Sequence, residues 1–299
     1  MLLSDGPNVA QLLDQKLKTH NPKTKVINFG ILGIESGSVK HRMMQALGAR
    51  PYKPKLIILY YGHNDYNNPY TEIINQHFDS FSLFLRVAFL FSKGKLNFPD
   101  QSFVFNGDNY PIFHWYNIFN RPKILKLLQQ MGLFSVKEEH GRFFDRWNGK
   151  ILQEFKRNNE DIIRLAASFH IPLLLITPVA NLHAEPYGSA TTTSYYEKGV
   201  AATAYHDAID FLTKAKDSEI FTGDVRAKSP LIDYIRTIEM GNVHILDLQN
   251  ILIDTKCDFD GTCFLDYFHL TRRTHQIVAD HIVELIVQNE GLMKRVFQE

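Results

Sequence analysis

The sequence predicts an α/β fold built on a parallel sheet. Three observations carry that expectation. Short apolar runs at residues 26–29, 56–61, 173–177 and 243–246 alternate with longer segments of helical periodicity. The run Leu56-Ile57-Ile58-Leu59-Tyr60-Tyr61 is apolar throughout rather than alternating, the pattern of a parallel strand covered on both faces. Glycines follow the first two runs, at Gly30, Gly33 and Gly62, where an α/β chain turns from strand to helix.

Taken in order, Ser4 or Asp5 can cap a first helix with Pro7 in its first turn. Val9, Leu12, Leu13 and Leu17 mark its apolar face, and Pro22 ends it. Residues 26–29 read as a short strand. A second helix follows, with Val39, Met43, Met44 and Leu47 inward, and Pro51 and Pro54 break it. The strand at 56–61 comes next. Residues 66–148 interrupt the rhythm, where an ordinary connection is a handful of residues. They hold both tryptophans and more than half of the 22 phenylalanines, and read as an inserted, mostly helical cap within a single domain spanning 1–299. The rhythm resumes with a helix at 151–169 and a strand at 173–177 opened by Pro172. The Gly/Ser/Thr-rich stretch 188–194 reads as a loop, 200–214 as a helix and 243–246 as a strand ending at Asp247. A last helix carries Ile277, Val278, Ile282, Leu285 and Ile286.

Composition sets bounds on function. Hydrophobic residues are 44% and charged residues 22% of 299, as in an ordinary globular protein. A net charge of +1 gives no global attraction for nucleic acid. No apolar run approaches the ~20 residues of a membrane span. Cys257 and Cys263 make neither a disulfide framework nor a zinc site, and leave open one small loop bridge or two free thiols. No pattern calls for a cofactor or a metal.

Two short motifs carry chemistry. In Asp266-Tyr267-Phe268-His269 an acid and a histidine three residues apart can meet on one face of a tight turn. A carboxylate accepting the imidazole Nδ1–H fixes the tautomer and stabilises the imidazolium formed when Nε2 takes a proton. In Gly62-His63-Asn64-Asp65, Gly62 permits a sharp turn at the strand end, and Asn64 has an amide that can donate to a developing oxyanion. Asp65 is expected to brace the loop through backbone N–H groups. Gly30 and Gly33 flank another strand end, where a backbone N–H can approach a ligand closely.

The chain resembles the SGNH hydrolases, the GDSL-type esterases and lipases. Asn28-Phe29-Gly30-Ile31-Leu32-Gly33, Gly62-His63-Asn64-Asp65 and Asp266-Tyr267-Phe268-His269 follow the order and contexts of three of that family's four blocks. The resemblance runs from about Ser4 to the last helix, with the aromatic insertion unshared. It implies a three-layer α/β/α sandwich, flavodoxin-like, with a five-stranded parallel sheet. It also implies Gly33 and Asn64 as oxyanion donors, Asp266 and His269 as acid and base, and a serine-type ester hydrolase or acyl transferase as the activity. The first block, a strand ending in Gly-Asp-Ser, has no counterpart ahead of Val26. The resemblance places the nucleophile about ten residues before Met1, on a first strand that is missing here. Ser4, Ser36 and Ser38 are poor substitutes. The missing strand predicts a gap or a distorted pairing in the sheet.

The substrates implied are small-molecule, glycan or lipid esters. Phe81, Phe84, Phe89 and Phe91 offer an acyl pocket, a lid or membrane contact, and Trp115 and Tyr116 a sugar platform; the plainer use of these rings is the insert's own core. Export or membrane tethering is implied if an N-terminal segment is missing. Two alternatives stand beside the esterase. One is an SGNH-fold binding module without a nucleophile. The other is a metallophosphoesterase, whose Gly-Asn-His-Asp/Glu block is matched with His and Asn reversed and whose other blocks are absent.

Overall fold

The computed structural model describes residues 8–31, 33–48, 53–66, 138–186, 188–219, 226–257 and 262–298. The insert expected at 66–148 lies almost wholly outside them. The chain divides into two compact units, Met1–Tyr66 with Trp147–Ala184 and Val225–Glu299, and Asn67–Arg146 with Glu185–Asp224. Residues 185–224 thus group with the insert segment, an assignment the sequence rhythm does not make.

The first unit is an α/β body. Helix α1 spans Val9–His20. Its cap is Asn8, not the Ser4 or Asp5 expected from sequence: the Asn8 side chain accepts from the Gln11 N–H at 3.0 Å, and the Gln11 side chain accepts from the Asn8 N–H at 2.9 Å. Such a reciprocal box satisfies two orphan donors at once, so the helix starts there and Pro7 precedes it. Helix α2 spans Ser36–Gly48 and buries Val39 and Met43. Met44, expected inward, is exposed, because one step along a helix turns a side chain about 100° from its neighbour's face.

Strand β1 is Ile57–Tyr60, β2 is Leu173–Ile176 and β3 is Val243–Leu246. They form a parallel sheet in the order β1-β2-β3, with Ile57 beside Leu173 and Leu173 beside Val243. Helix α3 (Glu138–Ser168) joins β1 to β2 in sequence. Helix α6 (Ser229–Arg236) precedes β3, and α7 (Leu248–Asp254) follows it, capped by Asp247. Helices α8 (Arg272–Gln288) and α9 (Glu290–Phe297) end the chain. Alternate strand residues feed two cores. Leu174, Ile176 and Leu246 pack with Leu13 and Leu17 of α1 and Val278, Ile282 and Ile286 of α8. Leu173 packs with Val39 and Met43 of α2 and Ile162, Ile163 and Ala166 of α3. Successive strand residues point to opposite faces of the sheet, so neighbouring positions on a strand feed different cores.

The sheet edge at β1 departs from the sequence expectation. Residues 26–29 make no strand, and Ile27, Phe29 and Ile31 are 40%, 39% and 49% exposed. Tyr60 at the end of β1 is 41% exposed, whereas no residue of β2 exceeds 3%. Among the described residues β1 pairs with β2 alone, and it is an edge rather than the fully buried strand its apolar run suggests. Residues 26–29 form no strand because a strand needs a neighbour to take its N–H and C=O groups. Side chains take part of that role instead: the Val26 N–H donates to the Asp14 carboxylate at 2.8 Å and the Gly30 N–H to Asn28 Oδ1 at 2.9 Å.

In the second unit, helices α4 (Ala190–Ala201) and α5 (Tyr205–Asp217) pack on each other. Gly199 lets them approach closely, since a Cβ there would lie 2.6 Å from Leu212 Cγ. Residues 190–194, read from sequence as loop, are the first turn of α4. Thr192 is buried and its hydroxyl donates to the Ser218 carbonyl at 3.2 Å, so packing against α5 overrides the weak helix propensity of the Thr/Ser run.

Candidate active site

The acid–histidine motif sits on a hairpin-like turn between β3 and α8. An antiparallel bridge between Phe264 and Leu270 closes it, and the Leu265 N–H donates to the His269 carbonyl at 2.7 Å. Cys257 and Cys263 are joined in a disulfide that anchors the start of this turn, which resolves the choice between bridge and free thiols in favour of the bridge. Both half-cystines are buried, and the Cys263 carbonyl accepts from the Thr271 N–H and the Thr274 hydroxyl at the start of α8.

Within the turn the Asp266 carboxylate is used on both oxygens. One accepts from the Phe268 and His269 N–H groups at 3.0 and 2.8 Å, and the other lies 2.6 Å from His269 Nδ1. Burial pushes the Asp266 acid strength one way and these bonds push it the other. The bonds prevail, and together with the neighbouring His269 they hold the carboxyl below its usual range. Asp266 therefore stays ionised and His269 is oriented through Nδ1.

The second motif begins at the end of β1. Gly62 has φ +129°, a conformation few side chains adopt, and a Cβ there would lie 2.9 Å from Pro178 Cγ. Residues 63–66 then start a helical turn. Asp65 is buried, and it accepts from the Ser36 N–H at 3.1 Å and from the Ser36 hydroxyl at 2.5 Å. It braces the start of α2 as well as its own loop. Burial pushes its carboxyl up to about 6, against the downward pull of the Ser36 bonds. Asn64 Nδ2 donates to the Ile34 carbonyl at 3.4 Å, next to Gly33, whose φ is +77°. Gly33 and Asn64, the two expected oxyanion donors, thus lie on segments in direct contact.

A contact that the sequence reading did not single out joins the motifs. The buried His63 ring stacks on Phe268, with centroids 4.8 Å apart and planes 19° apart, and Phe268 also meets the His269 ring at 4.6 Å. Tyr60 Oη lies 3.4 Å from His63 Nε2. The segment holding Gly33 and Ile34, the Gly62 turn and the acid–histidine turn are therefore linked, through Asn64 to Ile34 and through His63 to Phe268.

The alternative serines are placed too. Ser36 is fully buried, bonded to Asp65 and to Asn158 Nδ2 at 2.9 Å, and Ser38 donates to Glu35. Both hydroxyls are engaged in these bonds. Ser4, Phe81, Phe84, Phe89, Phe91, Trp115 and Tyr116 lie outside the described residues. Among the described residues, no group of three His, Cys, Asp or Glu side chains is gathered to hold a metal, and no helix is long and apolar enough to cross a membrane.

No family model, curated protein or solved structure matches this chain.

Proposed function

We propose that this protein is a serine-type ester hydrolase or acyl transferase of the SGNH kind, on a three-layer α/β/α scaffold. The observation that carries the reading is the junction of the two motifs: Asp266 bonded to His269, and His63 beside Asn64 stacked on Phe268 beside His269. A turn and an incidental histidine would have no reason to meet this way.

The chemistry follows from the side chains. A serine Oγ attacks the ester carbonyl carbon, and His269 accepts its proton while Asp266 stabilises the imidazolium. Negative charge moves onto the carbonyl oxygen, which accepts from the Gly33 N–H and the Asn64 amide. His269 then gives the proton to the departing alkoxide as the C–O bond breaks, leaving an acyl-enzyme. Water or a second hydroxyl repeats the sequence in reverse. The acyl group comes from a small-molecule, glycan or lipid ester.

The nucleophile is assigned to a parallel strand pairing with the open edge of β1, between it and residues 26–31. Two features favour an added strand there: Ile27, Phe29 and Ile31 are exposed, and so is Tyr60 at the end of β1. Helices α1 and α2, on opposite faces, belong to the same two cores that β1 joins through Ile58 and through Ile57 and Leu59.

The test is labelling by a fluorophosphonate probe of protein expressed with the coding sequence that precedes Met1. Covalent labelling of one serine on that strand, lost in His269→Ala, is the expected result. Folded protein that takes no label and hydrolyses no p-nitrophenyl ester would overturn the reading in favour of a binding module.

A further inference from the structure

The bonds inside the acid–histidine turn fix its shape but not its place on the body. The two peptide carbonyls at its tip, of Asp266 and Tyr267, point out of the turn, and both are taken by one residue. Asn181, in the loop after β2, donates its side-chain amide to the Asp266 carbonyl at 2.9 Å and its backbone N–H to the Tyr267 carbonyl at 2.9 Å. Its side-chain oxygen accepts from the His183 N–H at 3.1 Å, closing an Asx turn that holds the amide in position. The Asn181 carbonyl accepts from the Ala184 N–H at 3.2 Å and from the Arg226 guanidinium.

Arg226 is fully buried. It also donates to the Ala184 carbonyl at 3.2 Å, and its guanidinium lies over the Tyr267 ring, 5.6 Å from the centroid. The one cation therefore clasps the Asn181 loop by its carbonyls and the acid–histidine turn by its aromatic face. The Asn181 loop is itself tied to the sheet, since the Ala180 N–H donates to Gln249 Oε1 at 3.0 Å and the Gln249 N–H to Thr177 Oγ1 at 3.1 Å.

We infer that Asn181 is the positioning residue of the Asp266–His269 pair, held in place by Arg226, so that the sheet sets where the imidazole is presented. The inference deepens the esterase reading and rests on it for its catalytic meaning. The position demands asparagine. The site needs an acceptor for the His183 N–H and a donor for the Asp266 carbonyl on one short side chain. Aspartate supplies the acceptor alone and would set a carboxylate oxygen against a carbonyl oxygen. Alanine supplies neither, and glutamine is one methylene too long for the Asx turn.

The experiment compares wild type with Asn181→Asp and Asn181→Ala, alanine being the second variant in case aspartate does not fold. Two readouts are taken. The first is NMR of the His269 ring: the far-downfield Nδ1–H signal of an imidazole bonded to a carboxylate, and the midpoint of its pH titration. The second is the pH profile and the kcat-against-KM split of ester hydrolysis by protein carrying the preceding coding sequence. Expected are a broadened or lost Nδ1–H signal, a displaced titration midpoint, and a kcat lowered by about tenfold to a hundredfold with KM little changed. An unchanged signal and midpoint in a folded variant would overturn the role of Asn181, whatever the hydrolysis assay shows. Unfolding of both variants would also overturn it, making Asn181 a folding residue only. A signal that depends on Asn181 in a protein without esterase activity would uphold the positioning role and sink the esterase reading separately.

Discussion

Two aspartates stand at the two motif turns, and their surroundings push them opposite ways. Asp65 is buried and bonded to neutral groups on Ser36, and its carboxyl rises to about 6. Asp266 is partly exposed, bonded to two N–H groups and an imidazole, and its carboxyl is held low. A carboxylate that must support an imidazolium has to remain ionised when the histidine takes its proton. One that holds two segments together can tolerate either state if its hydrogen bonds survive. On the proposed reading the difference gives Asp266 a part in the chemistry and Asp65 an architectural part, the bracing role its sequence context already suggests.

The largest expected effect is at Asp266. Asp266→Asn keeps the shape and can still accept from the Phe268 and His269 N–H groups, but it removes the charge facing Nδ1. In protein carrying the proposed nucleophile, kcat for a p-nitrophenyl ester should fall roughly 10³- to 10⁴-fold, because the wrong tautomer is favoured and the imidazolium loses its partner. The thermal midpoint should move little, as the turn is also held by its backbone bridge and the disulfide. A loss of tenfold or less would erase the contrast between the two acids.

Asp65 should show the converse, a stability effect with a pH signature. Its folded-state carboxyl is raised above the ordinary value of 3.8 to about 6. The folded state thus binds the proton more tightly than the unfolded chain. The stability this contributes is fully present below about pH 4 and is lost as pH rises through about 6. A rise of that size corresponds to roughly 3 kcal/mol. Denaturant unfolding of wild type from pH 4 to 7 should therefore show a decline that Asp65→Asn flattens. A decline of the same size in the variant would move its origin to another group.

The parts of this molecule that can be read from sequence are those set by local chemistry. Strand β3 is found at the expected residues, and β2 to within one, because Pro172 and Asp247 punctuate apolar runs too short for helices. The acid–histidine pair is legible because a three-residue spacing brings both side chains together without help from elsewhere. Residues 26–29 are not, since their β propensity is realised only beside a pairing partner. Thr192 and its neighbours are helical through packing on α5, which composition does not encode. Asn181, Arg226 and the His63–Phe268 stack lie at separations of 45 to 205 residues along the chain, and only the folded topology brings them together.

The smallest expected effect concerns the contact between the two turns. The His63 and Phe268 rings stack almost parallel at 4.8 Å, and each is one residue away from a group with an assigned role, Asn64 and His269. Phe268→Leu retains apolar volume and removes the ring face, and His63→Leu does the same from the other side. Each should cost modest stability, and the double-mutant cycle should return a coupling of about 1 kcal/mol, the value of an aromatic pair beyond its burial. The same cycle read on kcat should show coupling of a few fold if the stack helps to hold the proposed oxyanion donor, Asn64, near the proposed base, His269. Coupling in stability without coupling in kcat would mean that the turns are packed together but act independently. Catalytic alignment would then fall to the Asn181 loop, which holds the Asp266 and Tyr267 carbonyls.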